Sequence, residues 1–427
     1  MFMKLLIAAM MVANVALASS PRVDESRLFV KIKNSLPQHN LIQKTKHLFG
    51  KYYLIETSQA SKLAKAIKDQ VELTELNYYA GKNKLPEPEV QKNFENVDNF
   101  TAFNDPRANR VWSFRDGVDN GVSVNRSYLA PLGLEKEEII VAVVDTGVDY
   151  NHEDLKGNMW INPGEIAGNG IDDDQNGYID DVHGINTLDR EGGVATGDPM
   201  DTHSHGTHVA GTIGAIQNNN TGIAGIASQV KIMAIRTVPN RGDETDADVV
   251  ESFLYAAKNG ARLINCSFGK KHNEGGLVVN ETMNHIGQTY GTLVVAAAGN
   301  DSSNNDRRPK YPASFDSDYL LVVASTSSSG RMSYFSNYGK TTVDIAAPGS
   351  GIYSTVPGNR YRSMSGTSMA CPTTVGVAAE VWSHFPELGA LELKQALMDS
   401  VTPVGRFEDR MVSEGRVDLY QALQSLL

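Results

Sequence analysis

Short apolar runs alternate with segments of helical spacing along most of this chain. Residues 139–144 are almost wholly apolar, which is typical of a strand buried on both faces. Segments with helical spacing of apolar residues separate further runs of this kind. The predicted strands are 139–144, 230–238, 261–267, 292–298, 319–325 and 341–346, and the clearest helices are 247–258 and 278–290. This alternation predicts an α/β domain of three layers, a parallel sheet flanked by helices, over residues 104–427.

A smaller unit precedes this domain. Residues 28–32 and 52–55 have the composition of strands, 58–70 that of an amphipathic helix, and 71–79 alternate like a further strand. We therefore expect a small α+β domain over residues 19–80. The following residues, 81–103, are polar and include Pro86 and Pro88, which predicts a linker.

The first eighteen residues have the pattern of a secretory signal peptide. Lys4 precedes an apolar run from 5 to 17, and Ala16, Leu17 and Ala18 form a small-residue cleavage pattern. The run is too short for a membrane-spanning helix, which needs about 20 residues. A buried N-terminal helix is the alternative. The pattern predicts export to the medium or the periplasm, with no membrane association after cleavage.

Net charge and cysteine content limit which partners and which cross-links are expected. The 427-residue chain has a formal net charge of −11, which argues against nucleic acid as a partner, because such proteins normally present a basic face. Cys266 and Cys371 are the only cysteines, too few for a disulfide framework. Two buried free thiols are the default expectation, and whether the two cysteines pair stays open.

Four polar residues lie where predicted elements begin or end. Asp145 directly follows the strand 139–144, and Asn300 follows the strand 292–298. His205 opens the segment HGTHVAGT, and Ser368 lies in SGTSMACP. A serine hydroxyl becomes a nucleophile when an imidazole accepts its proton, and a carboxylate can orient that imidazole. An oxyanion formed in such a reaction needs preorganised hydrogen-bond donors, which an asparagine amide and a helix-start N–H can supply.

These motifs, in the order Asp, His, Asn, Ser, resemble the subtilisin-like serine proteases, the subtilases. The resemblance covers roughly residues 104–427 and implies a secreted serine endopeptidase that acts through an acyl-enzyme. It implies that Asp145 orients, that His205 is the general base and acid, and that Ser368 is the nucleophile. Asn300 would complete the oxyanion hole. Thr373 stands where the family usually has a histidine, from which we expect a packing difference only.

The resemblance also implies partners and processing. Residues 265–269 resemble the family's edge strand, so Ser267, Phe268 and Gly269 would pair with an extended protein or peptide substrate. The domain 19–80 resembles the family's propeptide, which assists folding, blocks the cleft as an intramolecular inhibitor, and is removed by self-cleavage within 81–103. An unrelated N-terminal binding domain is the alternative. We expect the enzyme to be a monomer.

Calcium is the expected cofactor, at one or two structural sites. Oxygen-bearing side chains at alternating positions followed by Gly177 match the first half of an EF-hand loop, although His183 stands at the position of the final glutamate. The candidate ligands here are Asp172, Asp174, Asn176, Asp180 and Asp181. The alternative is a solvated acidic loop.

A second calcium site rests on the resemblance alone. The resemblance implies side-chain ligands Asp105, Asp154 and Asn219, with carbonyl ligands Ile216, Thr221 and Ile223. The alternative is that the asparagine run 218–220 is only a turn.

Two other functions remain open at this point. A secreted esterase shares the acyl-transfer chemistry but normally has Gly-x-Ser-x-Gly, which Ser368 lacks. The second alternative is a catalytically silent binding module. The four intact motifs argue against it. Asp301, next to Asn300, raises the possibility of a mild preference for basic side chains, or of an inert surface charge.

Overall fold

The computed structural model describes residues 21–81, 85–86, 101–191, 194–241, 244–270 and 276–427. The predicted signal peptide and most of the predicted linker lie outside the described residues. Within the described ranges, no helix combines the length and apolar character that a membrane span requires.

The large domain is built on a ten-stranded sheet. Its strands are β5 (Ile139–Asp145), β6 (Gly184–Glu191), β7 (Val194–Thr196), β8 (Val230–Arg236), β9 (Leu263–Cys266), β10 (Leu293–Ala297), β11 (Leu320–Thr326), β12 (Ile345–Pro348), β15 (Thr402–Pro403) and β16 (Gly415–Arg416). Their order in the sheet is β15-β16-β12-β11-β10-β9-β5-β8-β6-β7. All neighbours are parallel except the edge strands β7 and β15. The α/β fold with flanking helices is confirmed, and the antiparallel edges are the departure from a purely parallel sheet.

Helices cover both faces of this sheet. They are α2 (Val124–Leu129), α3 (His205–Gly214), α4 (Asp246–Lys258), α5 (Leu277–Tyr290), α6 (Thr367–His384), α7 (Ala390–Asp399) and α8 (Leu419–Ser425). Alternate residues of β5 point to opposite faces: Val141 and Val143 pack in one core with α3 and α6, whereas Ala142 and Val144 pack in the other with α4 and α5. A separate antiparallel hairpin, β13 (Ile352–Val356) and β14 (Arg360–Met364), packs against α3.

The register of the sheet brings three strand ends together. Val144 of β5 lies opposite Cys266 of β9, and Cys266 also lies opposite Ala296 of β10. The residues that follow these strands therefore meet at one edge of the sheet, where an open α/β fold places its site.

The N-terminal unit is a four-stranded antiparallel sheet with one helix. Its elements are β1 (Val23–Ile32), β2 (Lys44–Phe49), β3 (Tyr52–Glu56), α1 (Ala60–Ile67) and β4 (Val71–Tyr78), and the strand order is β2-β3-β1-β4. One face packs on α1, and the other meets the core of the large domain through Phe29 and Tyr52. Strand β2 was not predicted, because Lys44 and Lys46 break its apolar pattern.

The predicted bounds of one strand were wrong over most of its length, and several strands were not predicted. Of the predicted strand 341–346, only Ile345 and Ala346 lie in β12, and β12 continues to Pro348. The hairpin β13–β14, the strand β6 and the short strands β7, β15 and β16 had no counterpart in the prediction. Each is short, or carries charged residues, so that its apolar alternation is weak.

Candidate active site

Asp145 ends β5 and is fully buried. Its Oδ1 lies 2.7 Å from Nδ1 of His205 and accepts a 2.7 Å hydrogen bond from the backbone N–H of Thr146. These donors hold the carboxylate in one orientation, so the imidazole beside it is held with its Nε2 facing away from Asp145.

His205 is the first residue of α3 and is also fully buried. Its Nε2 has no hydrogen-bond partner among the described residues. Gly206 permits this close packing: a side chain there would stand 2.0 Å from the carbonyl oxygen of Gly147. The start of α3 can therefore lie directly against the end of β5, and the carboxylate and imidazole meet.

Ser368 lies at the start of α6, close to the end of β9. Its hydroxyl donates a 2.9 Å hydrogen bond to the carbonyl oxygen of Ser267, while the Ser267 hydroxyl donates to the Ser368 carbonyl at 3.0 Å. The structure thus joins Asp145 with His205 but directs the Ser368 hydroxyl to Ser267. Catalytic hydrogen bonds often form only with substrate present, and a change of one rotamer redirects a serine hydroxyl.

Two hydrogen-bond donors converge beside Ser368. The Oδ1 of Asn300 accepts from the backbone N–H and the hydroxyl of Thr367, at 2.8 and 2.9 Å, which leaves Nδ2 as its donor toward the cleft. The point where a Cβ on Gly366 would stand lies 3.5 Å from Asn300 Nδ2 and 3.5 Å from the Ser368 nitrogen. Such a pair of donors can stabilise an oxyanion.

The predicted substrate-binding residues lie beside this site, with one correction. Strand β9 pairs with β5 on one side and β10 on the other, so Asn265 and Cys266 belong to an interior strand and not to an edge strand. Only Ser267, Phe268 and Gly269 extend beyond it. The sequence pattern could not separate the two parts, because an interior strand and its continuation are both apolar or small.

Asp301 does not present an isolated negative charge. Lys310 Nζ lies 3.3 Å from Asp301 Oδ2, and the Lys310 side chain is largely buried. The pair carries little net charge. Asp301 therefore gives no support to the expected mild preference for basic side chains in the substrate.

The second histidine of the HGTH motif is structural. His208 is fully buried, and its Nε2 donates to the carbonyl oxygen of Ile352 at 2.9 Å. Burial and, to a smaller extent, the nearby His205 lower the pKa of His208 to about 3. His208 is therefore neutral at ordinary pH and joins α3 to the β13–β14 hairpin.

Both cysteines are buried and free, as expected. Burial raises the pKa of the Cys371 thiol to about 12, so it is not a thiolate at neutral pH.

The end of the N-terminal unit lies in the cleft. Tyr79 forms an antiparallel bridge with Thr245, and the Ala80 N–H donates to the Glu244 carbonyl at 2.9 Å. The buried Ala80 lines a small pocket together with Phe268 and Gly269.

Further along, the Cγ of Pro86 lies 2.7 Å from the point where a Cβ on Gly366 would stand, beside the two oxyanion donors. Described residues of the N-terminal unit and its linker thus occupy the region where substrate would bind.

The residues of the second predicted calcium site come together around two buried carboxylates. Asp154 is fully buried and Asp105 nearly so. Asp105 accepts from the backbone N–H groups of Asn218 and Asn219, and Asp154 accepts from the Asn219 amide and the Ile223 N–H. Burial raises the pKa of Asp154 to about 6.

Ile216 and Thr221 belong to the same loop. The Ile216 N–H donates to the Asp154 carbonyl, and the Thr221 N–H to Asn219 Oδ1. The run 218–220 is therefore folded around two buried carboxylates.

The acidic loop is more exposed and is arranged differently from the expectation. Asp172 and Asp174 lie close to Glu165, which the sequence pattern did not single out. Asn176 donates from its amide to Asp174 and Asp181.

Asp180 and Asp181 accept hydrogen bonds from groups outside the cluster of Glu165, Asp172 and Asp174. Asp180 accepts from the N–H groups of Gly168, Asn169 and Gly170, and the buried Asp181 accepts from the hydroxyl of Tyr255. A local EF-hand pattern could not reveal Glu165, because that residue reaches the loop from outside the motif.

Comparison with known proteins connects these features to a family. The subtilase family matches residues 136–417 of the chain. Thermitase of Thermoactinomyces vulgaris is 37% identical over 289 residues, which are 66% of this chain and 88% of thermitase. A thermophilic serine proteinase of Bacillus sp. AK1 is 38% identical over 286 residues, 66% of this chain and 61% of that protein.

More distant relatives and a solved structure agree with this. Subtilisin-like protease 1 of Plasmodium berghei is 29% identical over 84% of this chain and 63% of its own length. The chain thus spans less than two thirds of several curated relatives. A protease from Pseudoalteromonas arctica has a similar structure, with a TM-score of 0.62 and 26% identity, over 77% of this chain and all of that one.

Proposed function

This chain belongs to the subtilase family, and we propose that it is a secreted serine endopeptidase made as a self-processing precursor. The observation that carries the proposal is the arrangement at the sheet edge. Asp145 contacts His205, and the donors Ser368 N–H and Asn300 Nδ2 both lie 3.5 Å from one point beside Gly366.

In the proposed mechanism, the Ser368 hydroxyl turns from Ser267 toward His205 Nε2. His205 accepts the proton as Ser368 Oγ attacks the substrate carbonyl, and Asp145 stabilises the imidazolium. Asn300 and the Ser368 N–H stabilise the oxyanion. His205 then protonates the leaving amine, and a water molecule deprotonated by His205 hydrolyses the acyl-enzyme.

Casein hydrolysis tests this activity against its alternatives. We expect the mature protein to cleave casein, an organophosphorus serine reagent to block cleavage, and Ser368→Ala to lose it. Ser329→Ala, in an exposed loop, is the matched control. Hydrolysis of small esters without casein cleavage would favour an esterase, and no reaction with either would favour a binding module.

Self-processing is proposed from the contacts of the N-terminal unit. Ala80 and Pro86 lie in the cleft on the two sides of residues 81–85, so this unit can act as an intramolecular inhibitor and as the first substrate. Mass spectrometry should find Ser368→Ala uncut and the wild-type chain cleaved within 81–103. A Ser368→Ala chain that matures normally, in the absence of other proteases, would contradict self-processing.

Export is proposed from the first eighteen residues. N-terminal sequencing of the precursor Ser368→Ala from the medium or periplasm should begin after Ala18. An intact Met1 on the exported chain would contradict signal cleavage.

We also propose that the chain binds structural calcium. At the second predicted calcium site, side-chain oxygens would come from Asp105, Asp154 and Asn219. Carbonyl oxygens would come from Ile216, Thr221 and Ile223. The residues fit a cation, because two buried carboxylates without one carry unneutralised charge. At the acidic loop, Asp172, Asp174 and Glu165 form the compatible group, with Asn176 adjacent and Asp180 and Asp181 directed elsewhere. Calcium would stabilise the fold and take no part in the chemistry.

Chelation tests both sites. We expect a chelator to lower the melting temperature of the wild-type chain, and Asp174→Ala to lower it without a chelator. In Asp154→Ala, the chelator should lower the melting temperature by less than it does in the wild-type chain. An unchanged melting temperature in every case would remove the calcium proposal.

A further inference from the structure

Asp201 is a buried carboxylate that the proposed mechanism does not use. It lies in the loop between β7 and α3, with only 3% of its surface exposed. Its Oδ1 accepts from the N–H groups of His203 and Ser204, at 2.7 and 3.1 Å. Its Oδ2 accepts from the Thr207 N–H at 3.0 Å and the Thr207 hydroxyl at 2.6 Å.

Asp201 reaches the strand that carries Asp145 through one hydroxyl group. Thr146 Oγ1 donates to Asp201 Oδ1 at 3.0 Å and accepts from the Gly206 N–H at 3.0 Å. Thr146 follows Asp145, and Gly206 follows His205. The chain Asp201–Thr146–Gly206 therefore ties together the immediate neighbours of both residues.

Asp201 also takes the place of a missing helix cap. Ser204, the residue before α3, has φ of 124° and makes no side-chain cap. The first N–H groups of a helix need acceptors. Asp201 supplies them for Ser204 and Thr207, on either side of His205, so the backbone around His205 is held by one carboxylate.

The loop that carries Asp201 is itself pressed against the end of β5. Gly147 has φ of 96°, and a side chain there would stand 2.3 Å from the Pro199 carbonyl oxygen. The Val148 N–H donates to that carbonyl at 3.0 Å. Residues 199–201 are therefore fixed relative to Asp145, and Asp201 transmits this position to α3.

We propose that Asp201, acting through Thr146, is a positioning residue that sets the distance and orientation between Asp145 and His205. This inference rests on the proposed peptidase function. A displacement of about 1 Å in a catalytic group can cost on the order of 100-fold in rate. Loss of the linkage should therefore lower the rate of the chemical step more than it lowers substrate binding.

The test measures kcat per active site, with active sites counted by titration with an organophosphorus reagent. We expect Asp201→Asn and Thr146→Val each to lower kcat per titrated site by about 10- to 100-fold, with KM changed by less than about threefold. Both residues act through one linkage. The kcat per titrated site of the double variant should therefore be no more than about threefold below that of the less active single variant. Asp198→Asn, an exposed carboxylate in the same loop, is the matched control.

A purely structural role gives a different result. Asp201→Asn would then lower the melting temperature and the titrated fraction, while kcat per titrated site stayed within about threefold of wild type, and the proposal would be overturned. If Asp201→Asn yields no folded protein, Thr146→Val and Thr146→Ser decide. A large loss for valine with at least a third of kcat retained for serine supports the proposal, and equal values overturn it. A wild-type chain that does not react with the reagent would refute the peptidase function itself.

Discussion

The large domain and the N-terminal unit are held in place by different kinds of contact. The large domain has an apolar core on each face of its sheet, with fully buried side chains such as Trp382 and Phe253. The N-terminal unit has seven buried apolar residues between its sheet and α1. A chain of about 60 residues buries too little surface to be strongly stable alone, so docking contributes to its stability.

The docking surface is rich in polar contacts. Asn77 accepts from the Ala247 N–H at the start of α4, and Glu75 accepts from the Val278 N–H at the start of α5, whose own N-cap is a glycine. Arg27 and Lys46 pair with carboxylates of α4. When the unit leaves, these polar groups can hydrogen-bond to water, and the apolar contacts of residues such as Phe29 and Tyr52 are lost. Opening either core of the large domain would expose many more apolar side chains. The difference is suited to one permanent and one removable part.

Truncation of a buried core side chain should have the largest effect of these tests. It should destabilise mainly the region that contains the side chain. Leu63→Ala, in the uncut Ser368→Ala chain, should cost about 2–5 kcal/mol and abolish the low-temperature transition of the N-terminal unit in calorimetry. The matched Leu397→Ala in the large domain should lower only the upper transition. A single transition that shifts in both variants would show that the two regions unfold together.

Removal of one helix contact should weaken docking without unfolding either region. Asn77→Ala leaves the Ala247 N–H without its acceptor and removes one of the donors to Asp24, and should cost about 1–3 kcal/mol. Hydrogen exchange at the start of α4 should then become faster in the uncut chain. Asn259→Ala, at the other end of the same helix, is the control and should leave this exchange unchanged.

Docking should also depend on pH through Glu75. Burial and, to a smaller extent, Asp246 raise the pKa of Glu75 to about 7 against the opposing effects of the Val278 N–H and Lys270. The docked carboxyl thus binds a proton that the free one releases near pH 4.5. This contribution is complete below pH 4.5 and is lost as pH rises through about 7. The protection factor at the start of α5, which is corrected for intrinsic base-catalysed exchange, should fall between pH 5 and 8, and Glu75→Gln should flatten this profile; a protection factor that rises with pH would contradict this.

The exposed ion pair should matter least. Lys46 is half-exposed, and its partner Glu251 keeps a 2.6 Å contact with Arg190 when Lys46 is removed. Lys46→Ala should therefore cost less than about 1 kcal/mol of docking free energy, and the difference from wild type should vanish in 1 M salt. A loss as large as that of Asn77→Ala would mean that charge dominates the docking surface.

Local patterns predicted much of the fold and the identity of the catalytic candidates. The strands β5, β8 and β10 were found because buried parallel strands form continuous apolar runs. Asp145, His205 and Ser368 were found because each lies in a short motif at an element boundary. Glu165, Asp201 and Thr367 were missed, since each acts on a partner from another part of the chain.

The sequence by itself determined the element types, the α/β class and the residues able to carry acyl-transfer chemistry, because these depend on short-range spacing and residue chemistry. Only the tertiary structure decided that the Asn300 amide is oriented by Thr367, that the Ser368 hydroxyl donates to Ser267, and that Glu75 meets α5. Those outcomes depend on which surfaces pack together, and the residues involved are 67, 101 and 203 positions apart.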